Sequence, residues 1–268
     1  MTIGADVGGS RIKLVRLQLD EVEERRELEI NPDWPQQLTD ALVEMGESDE
    51  RIGVGVAGLL DHGRGVLSWA PHLSGTDVPL GDLLSHALGR PVAVDNDANC
   101  ATRAEAAGLR RDPVLVVMLG TGIGAGLWTR GDVYRGHAFA GEVGHMVLEA
   151  EGKLCRCGRR GCWETLVSGW QLAEQGSSSR VLDTAGIWLG RGLFNLSTIL
   201  DPAVIVIGGG LLVDHGDKLF AAARNELLRL STDDRYGKRL PPEILPGVHG
   251  IWAGAIGAAM LADHEFGE

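Results

Sequence analysis

The sequence predicts an α/β protein made of two related halves, on three observations. The chain opens with an apolar strand, a glycine turn and a second strand: Ile3–Asp6, then Val7-Gly8-Gly9-Ser10, then RIKLVRLQL. The same arrangement returns at Val114–Leu119, Gly120-Thr-Gly-Ile-Gly-Ala-Gly126 and LWTRGDVYRG. After each hairpin, short β-branched strands alternate with amphipathic or small-residue helices. At ~150 residues per domain, 268 residues make one or two domains with ample material for a core.

Each element has its own signal. In the second strand Ile12, Leu14, Leu17 and Leu19 alternate roughly with Arg11, Lys13 and Arg16. Trp34, Leu38, Leu42 and Met45 recur at about one helical turn and predict a helix over 33–45. Ile52-Gly-Val-Gly-Val-Ala-Gly is a strand entering a turn, and 80–88 is a helix. The strand 91–94 delivers Asp95-Asn96-Asp97 to the start of an alanine-rich helix, 98–107. Beyond the second hairpin, 184–200 is an apolar helix and 204–207 a buried strand ending in Gly208-Gly-Gly210. A charged amphipathic helix, 219–230, and a small-residue helix, 250–263, follow.

Composition narrows the function. Hydrophobic residues at 44% and charged residues at 23% exclude disorder as the overall description. The net charge of −12 argues against nucleic acid or an anionic membrane as the main partner. No apolar run of ~18 residues predicts a membrane helix. MTIGADVGGSRIKLV lacks the basic start and apolar block of a secretory signal, so a cytoplasmic location is expected, where disulfides are disfavoured.

Two features stand out: 39 glycines, roughly twice the usual 7% share, and four cysteines with three inside eight residues. The glycine turns lead into strands and are followed by no Gly-Lys-Ser/Thr, so neither a dinucleotide fingerprint nor a P-loop fits. Each is either a tight turn or a backbone cradle for phosphate. Asp6 beside the first turn suits a divalent cation, which favours a nucleoside triphosphate with magnesium. Cys155, Cys157 and Cys162, with His145 ten residues upstream, form the donor set of a closed structural zinc site; free thiols or a disulfide are the alternatives. Cys100 reads as a core residue. A zinc-bound imidazole keeps a second N–H to donate. With Glu142 and Glu164 carried on the same loop, this suits a polyhydroxylated ligand; solvated surface charges are the plain alternative. Asp97 is either a helix N-cap or, beside phosphate hairpins, the carboxylate that accepts a hydroxyl proton.

Asp6-Val-Gly-Gly-Ser10, Asp95-Asn-Asp-Ala-Asn99, Leu119-Gly-Thr-Gly-Ile-Gly-Ala-Gly126, Glu142-Val-Gly-His145, the Cys155 to Glu164 segment and Ile205-Val-Ile-Gly-Gly-Gly210 together resemble the ROK family of bacterial sugar kinases and sugar-responsive repressors. The resemblance implies the actin-like ATPase fold, two ribonuclease-H-like α/β domains with the active site in the cleft. It implies domains of 1–108, completed by the C-terminal helix 250–264, and 109–249, carrying the zinc site. It further implies an ATP-dependent hexose kinase, glucokinase-like, acting on the sugar 6-hydroxyl in carbohydrate metabolism and glycolysis. Asp97 would be the general base. Asn96, Glu142, His145, Glu164 and Gly58 would join it in holding the sugar. Asp6 would act on Mg2+ through water; Gly8, Gly9, Ser10, Thr121 and Gly122 would cradle phosphates; Gly209 and Gly210 would lie near adenosine. Structural Zn2+ would sit on His145, Cys155, Cys157 and Cys162. A homodimer is implied as well.

The chain departs from the family at three points. Ala57-Gly58 stands where Pro-Gly is usual, the segment Ala-Pro-His72-Leu-Ser-Gly75-Thr76 lacks the glucokinase-like Asn and Trp, and the stretch from Glu164 to Val204 is short. The first two leave N-acetylmannosamine, N-acetylglucosamine, fructose or allose as other acceptors, and polyphosphate is another donor. The alternative of a different class is a non-catalytic sugar-binding regulator; the first hairpin starting at residue 3 and the acidic balance oppose it.

Overall fold

A computed structural model describes residues 1–19, 21–46, 49–70, 73–232 and 240–267. The chain divides into two compact units. The first holds Met1–Gly108, Gly131–Gly141 and Ile251–Glu268; the second holds Leu109–Arg130 and Glu142–Gly250.

In the first unit, β1 (Thr2–Val7), β2 (Arg11–Gln18), β3 (Glu21–Glu29), β4 (Arg51–Val56) and β7 (Val92–Asn96) form a sheet of order β3-β2-β1-β4-β7. The first three strands are antiparallel and the last three parallel. β5 (Leu59–Asp61) and β6 (Val66–Trp69) make a separate small hairpin. Helices α1 (Trp34–Met45) and α2 (Leu80–Leu88) send Trp34, Leu38, Leu42, Leu80 and Leu84 into the core with Ile3, Ile52 and Val54. α3 (Asp97–Ala106) and α7 (Ala253–Phe266) belong to the opposite face, where Ala104, Ala255 and Ala259 pack with Val15 and Leu17. Sheet and helix approach closely there because Gly4 and Gly53 lack side chains. A Cβ on Gly4 would overlap the Ala255 carbonyl, and one on Gly53 the Ala258 carbonyl.

The second sheet repeats that plan. It comprises β8 (Val114–Leu119), β9 (Ile123–Thr129), β10 (Asp132–Val133), β11 (Val204–Gly208) and β12 (Glu243–Pro246), in the order β10-β9-β8-β11-β12. β8 and β9 are antiparallel; β8, β11 and β12 are parallel. The matching strand orders are those of the actin-like ATPase fold, and they bear out the duplication read from the two glycine hairpins. Among the described residues no helix is long and apolar enough to cross a membrane.

Some boundaries differ from expectation. The helix expected over 184–200 is α5 (Ser179–Leu200), preceded by a short α4 (Gly169–Gln175). The helix expected from 219 is α6 (Leu211–Ser231), which starts directly after the Gly208–Gly210 turn. Residues 131–141 were expected with the second half but cluster with the first unit, where Arg135 and Asp132 make ion pairs with Asp95 and Arg103.

α5 and α6 are tied by a buried carboxylate. Glu226 accepts from Arg229 at 2.7 Å and from Arg191 at 3.0 Å, and these bonds hold its carboxyl down at about 2, from an ordinary 4.5. A folded pKa below the unfolded one contributes stability that is fully present above pH 4.5 and is lost as pH falls through 2. Glu226→Gln is therefore expected to cost about 2 kcal/mol at pH 7. Urea midpoints of the two proteins should converge as the pH falls from 4.5 through 2; a gap independent of pH would reject the assignment.

Candidate functional site

In the first unit the candidate residues lie at the C-terminal ends of the parallel strands. Asn96 ends β7 and caps α3: its Oδ1 accepts from Ala98 N at 2.8 Å and Asn99 N at 3.2 Å. Its Nδ2 donates to the Gly58 carbonyl at 3.0 Å. Gly58 has φ +129°, a backbone that an L side chain rarely adopts. Asparagine at the strand–helix junction thus both starts the helix and fixes the turn after β4. The cap being Asn96, Asp97 occupies the first helical position, half-buried, with Oδ1 accepting from Ala98 N at 2.9 Å.

Asp6, next to last in β1, stands opposite Lys13 of β2, whose Nζ is 3.3 Å from Asp6 Oδ2. Burial raises the Asp6 carboxyl above its usual range, and Lys13 opposes this. Lys13 is a partner that the hairpin register could have supplied from sequence. Gly8 N donates to the Arg11 carbonyl at 3.0 Å and closes the turn, leaving Gly9 and Ser10 exposed.

In the second unit, Gly120 N donates to Gly122 O at 3.1 Å, so the second hairpin is equally tight. Its carbonyls are held from outside, Gly120 O by Gly169 N at 2.9 Å and Thr121 O by Trp170 N at 3.3 Å. A Cβ on Gly122 would stand 2.9 Å from Glu164 Oε2, so glycine there admits the carboxylate.

His145, Cys155, Cys157 and Cys162 each bring one donor atom into a group whose members all lie within 4.8 Å of one another. Cys157 Sγ–Cys162 Sγ is 3.5 Å and Cys155 Sγ–His145 Nδ1 is 3.7 Å. A zinc tetrahedron with Zn–S of 2.3 Å and Zn–N of about 2.05 Å has edges of about 3.6–3.8 Å, so the four residues fit that ion. Nδ1 faces the thiols, and Nε2 lies 4.0 Å from Glu142 Oε2. Desolvation, reinforced by the charge of Glu164, pushes the Glu142 carboxyl up to about 7. Glu164 Oε1 is 2.9 Å from Cys155 Sγ. Trp163, between Cys162 and Glu164, anchors the segment: it is fully buried, donates Nε1–H to the Trp188 carbonyl at 3.0 Å, and lies against Gly192. Cys100 is buried in α3, a core residue as read.

Gly208 and Gly209, with Leu212, Val213, Phe220 and Arg224, line a cavity of about 520 Å³ where β11 meets α6. Gly209 has φ +99°, and a Cβ on it would overlap the Leu119 carbonyl. Pro71 and His72 of the expected sugar loop lie outside the described residues. Residue patterns did not single out Asp95 and Arg135. Asp95 is 2% exposed beside the Asn96–Asp97 turn and pairs with Arg135 at 2.8 Å.

The glucokinase of Streptomyces coelicolor is 28% identical over 315 aligned positions, covering 98% of this chain and 97% of that protein. The crystal structure of a ROK family glucokinase from Streptomyces griseus with glucose and AMPPNP superposes with TM-score 0.87 at 28% identity, over 98% of this chain and 99% of that one. A ROK hexokinase from Thermus thermophilus follows at TM-score 0.82 and 29% identity, over 99% and 98%. The ROK family profile matches residues 2–178 and 170–265, and so spans every motif just described. With the duplicated sheets, the two hairpins and the His/Cys3 group all falling within that match, the chain belongs to the ROK family.

Proposed function

We propose that the protein is an ATP-dependent hexose kinase, with glucose as acceptor and the 6-hydroxyl as the reacting group. The observation carrying this reading is the full-length similarity to a glucokinase that binds glucose and AMPPNP, together with an Asn96–Asp97 turn built as described. Asn96, Asp97, Gly58, Glu142, His145 and Glu164 are the residues that hold the sugar in this reading. The Asp97 carboxylate orients the 6-hydroxyl and takes its proton as the oxygen bonds to the γ-phosphorus and the bond to the ADP oxygen breaks. Phosphoryl transfer has a loose transition state, so a weakly basic carboxylate suffices.

Gly8, Gly9, Ser10, Thr121 and Gly122 offer backbone and hydroxyl donors to the phosphates. Asp6, kept accessible to charge by Lys13, takes magnesium through water, and the cavity beside Gly209 and Gly210 receives adenosine. When bound, zinc supplies a fixed structural centre. His145 then keeps Nε2–H for a sugar hydroxyl, and Glu142 and Glu164 accept from others. Cys155 would hold the metal as a thiolate, with no proton left to donate to Glu164 across the present 2.9 Å contact, and the Glu164 carboxylate would be open to a sugar hydroxyl.

ADP release measured with glucose, mannose, fructose, allose and the N-acetylhexosamines, with ATP or polyphosphate as donor, tests the substrate. Glucose with ATP is expected to give the highest kcat/KM; another sugar ahead of glucose by tenfold reassigns the acceptor.

A further inference from the structure

We infer that Arg135 is a positioning residue for the Asn96–Asp97 turn, acting through Asp95; this rests on the kinase reading for the role of Asp97. Asp95 is buried, and its two oxygens serve opposite purposes. Oδ1 accepts from Asn96 N at 2.7 Å and Asn99 Nδ2 at 2.8 Å, and so grips the turn and the first coil of α3 from behind. Oδ2 accepts from Arg135 Nε at 2.9 Å, and Nη2 of the same guanidinium stands 2.8 Å from it as an ion pair. The third guanidinium nitrogen, Nη1, reaches Asp132 Oδ2 at 3.1 Å and the Val133 carbonyl at 3.3 Å. Asp132 is in turn bonded to Arg103 of α3.

This arrangement needs arginine. A buried carboxylate needs a compensating charge, and a planar fork that uses all three nitrogens on two anchors fixes direction as well as charge. His62, the other basic group near Asp95, stands 4.0 Å from Oδ2 and has its Nδ1 2.7 Å from the Val94 carbonyl, so it cannot substitute. The chain therefore runs from Arg135 to Asp95, from Asp95 to the Asn96 amide and Asn99 side chain, and from that turn to the carboxylate next in sequence. A misplacement of about 1 Å at a proton acceptor is enough to slow a transfer step by up to about 100-fold.

Arg135→Lys keeps the charge and loses the fork. In the full-length protein it is expected to lower kcat about 10- to 100-fold while the KM values for glucose and ATP stay within about threefold. The Ala98 and Asn99 amides should exchange with deuterium at least about tenfold faster, with β1 amides unchanged. The pair Asp95→Asn with Arg135→Gln removes both charges of the ion pair and is expected to recover the melting temperature without recovering kcat. Wild-type kcat and exchange in Arg135→Lys, or kcat returning in step with melting temperature in the neutral pair, would overturn the inference. If the unaltered protein transfers no phosphate, the kinase reading falls, and the exchange rates at Ala98 and Asn99 alone decide whether Arg135 holds the turn.

Discussion

Asp97→Asn is expected to reduce kcat by about 10³-fold or more while leaving the glucose dissociation constant within about threefold. The substitution is nearly isosteric, and an amide oxygen can still accept from Ala98 N, the 2.9 Å bond that the carboxylate makes now. Asn96, one residue earlier, caps α3, so the helix start does not depend on the Asp97 charge. What the change removes is the group that can take the hydroxyl proton. Calorimetry with glucose and a coupled ADP assay on the same preparation separate the two quantities. Turnover within tenfold of the parent would take Asp97 out of its role.

The second large effect concerns the thiol cluster. Cys157→Ser is expected to lose stoichiometric zinc in elemental analysis and to raise the glucose KM at least about tenfold. Zinc content near zero in the parent protein, purified without chelator, would sink the metal assignment outright. Trp163 is locked in the core of the second unit, and Cys162 bridges to Val147 through the backbone, so the polypeptide around the cluster keeps its anchor without the ion. The loss should therefore appear as weakened sugar binding rather than wholesale unfolding. His145 explains why: with Nδ1 toward Cys155, a bound metal would fix the direction of Nε2, and its loss would leave the imidazole tautomer unfixed.

Much of this was legible in the residues because the signals are local. Two glycine hairpins, one His/Cys3 spacing and one Asn-Asp at a strand–helix junction each lie within about twenty residues, and each carries its chemistry in its residue types. What escaped reading is of another kind. β3 has the sequence EVEERRELE, with half-buried residues alternating with exposed ones and none buried, so the edge strand shows no apolar alternation. α4 has seven residues, too few for a helical period to emerge. Nothing local marks Gly4 and Gly53 as required where a helix crosses a strand, because the contact is made by Ala255 and Ala258, more than two hundred positions away.

The Asp95–Arg135 pair shows the same limit within the candidate site. The partners are separated by 40 positions, and Asp95 sits in a motif whose next two residues attract the attention. Only burial and the distribution of hydrogen bonds over its two oxygens reveal that it supports the turn. The 131–141 segment was divided from the first unit in the sequence for the same reason, since its ties are side-chain ion pairs rather than strand ladders.

The most direct test is transfer of label from [γ-32P]ATP to glucose with magnesium present and the sugar product identified by position. Labelled glucose 6-phosphate is expected at one equivalent per ADP formed, and is abolished by Asp97→Asn. Glucose bound by the protein with no label transferred to any hexose would contradict the kinase reading and leave a sugar-binding regulator.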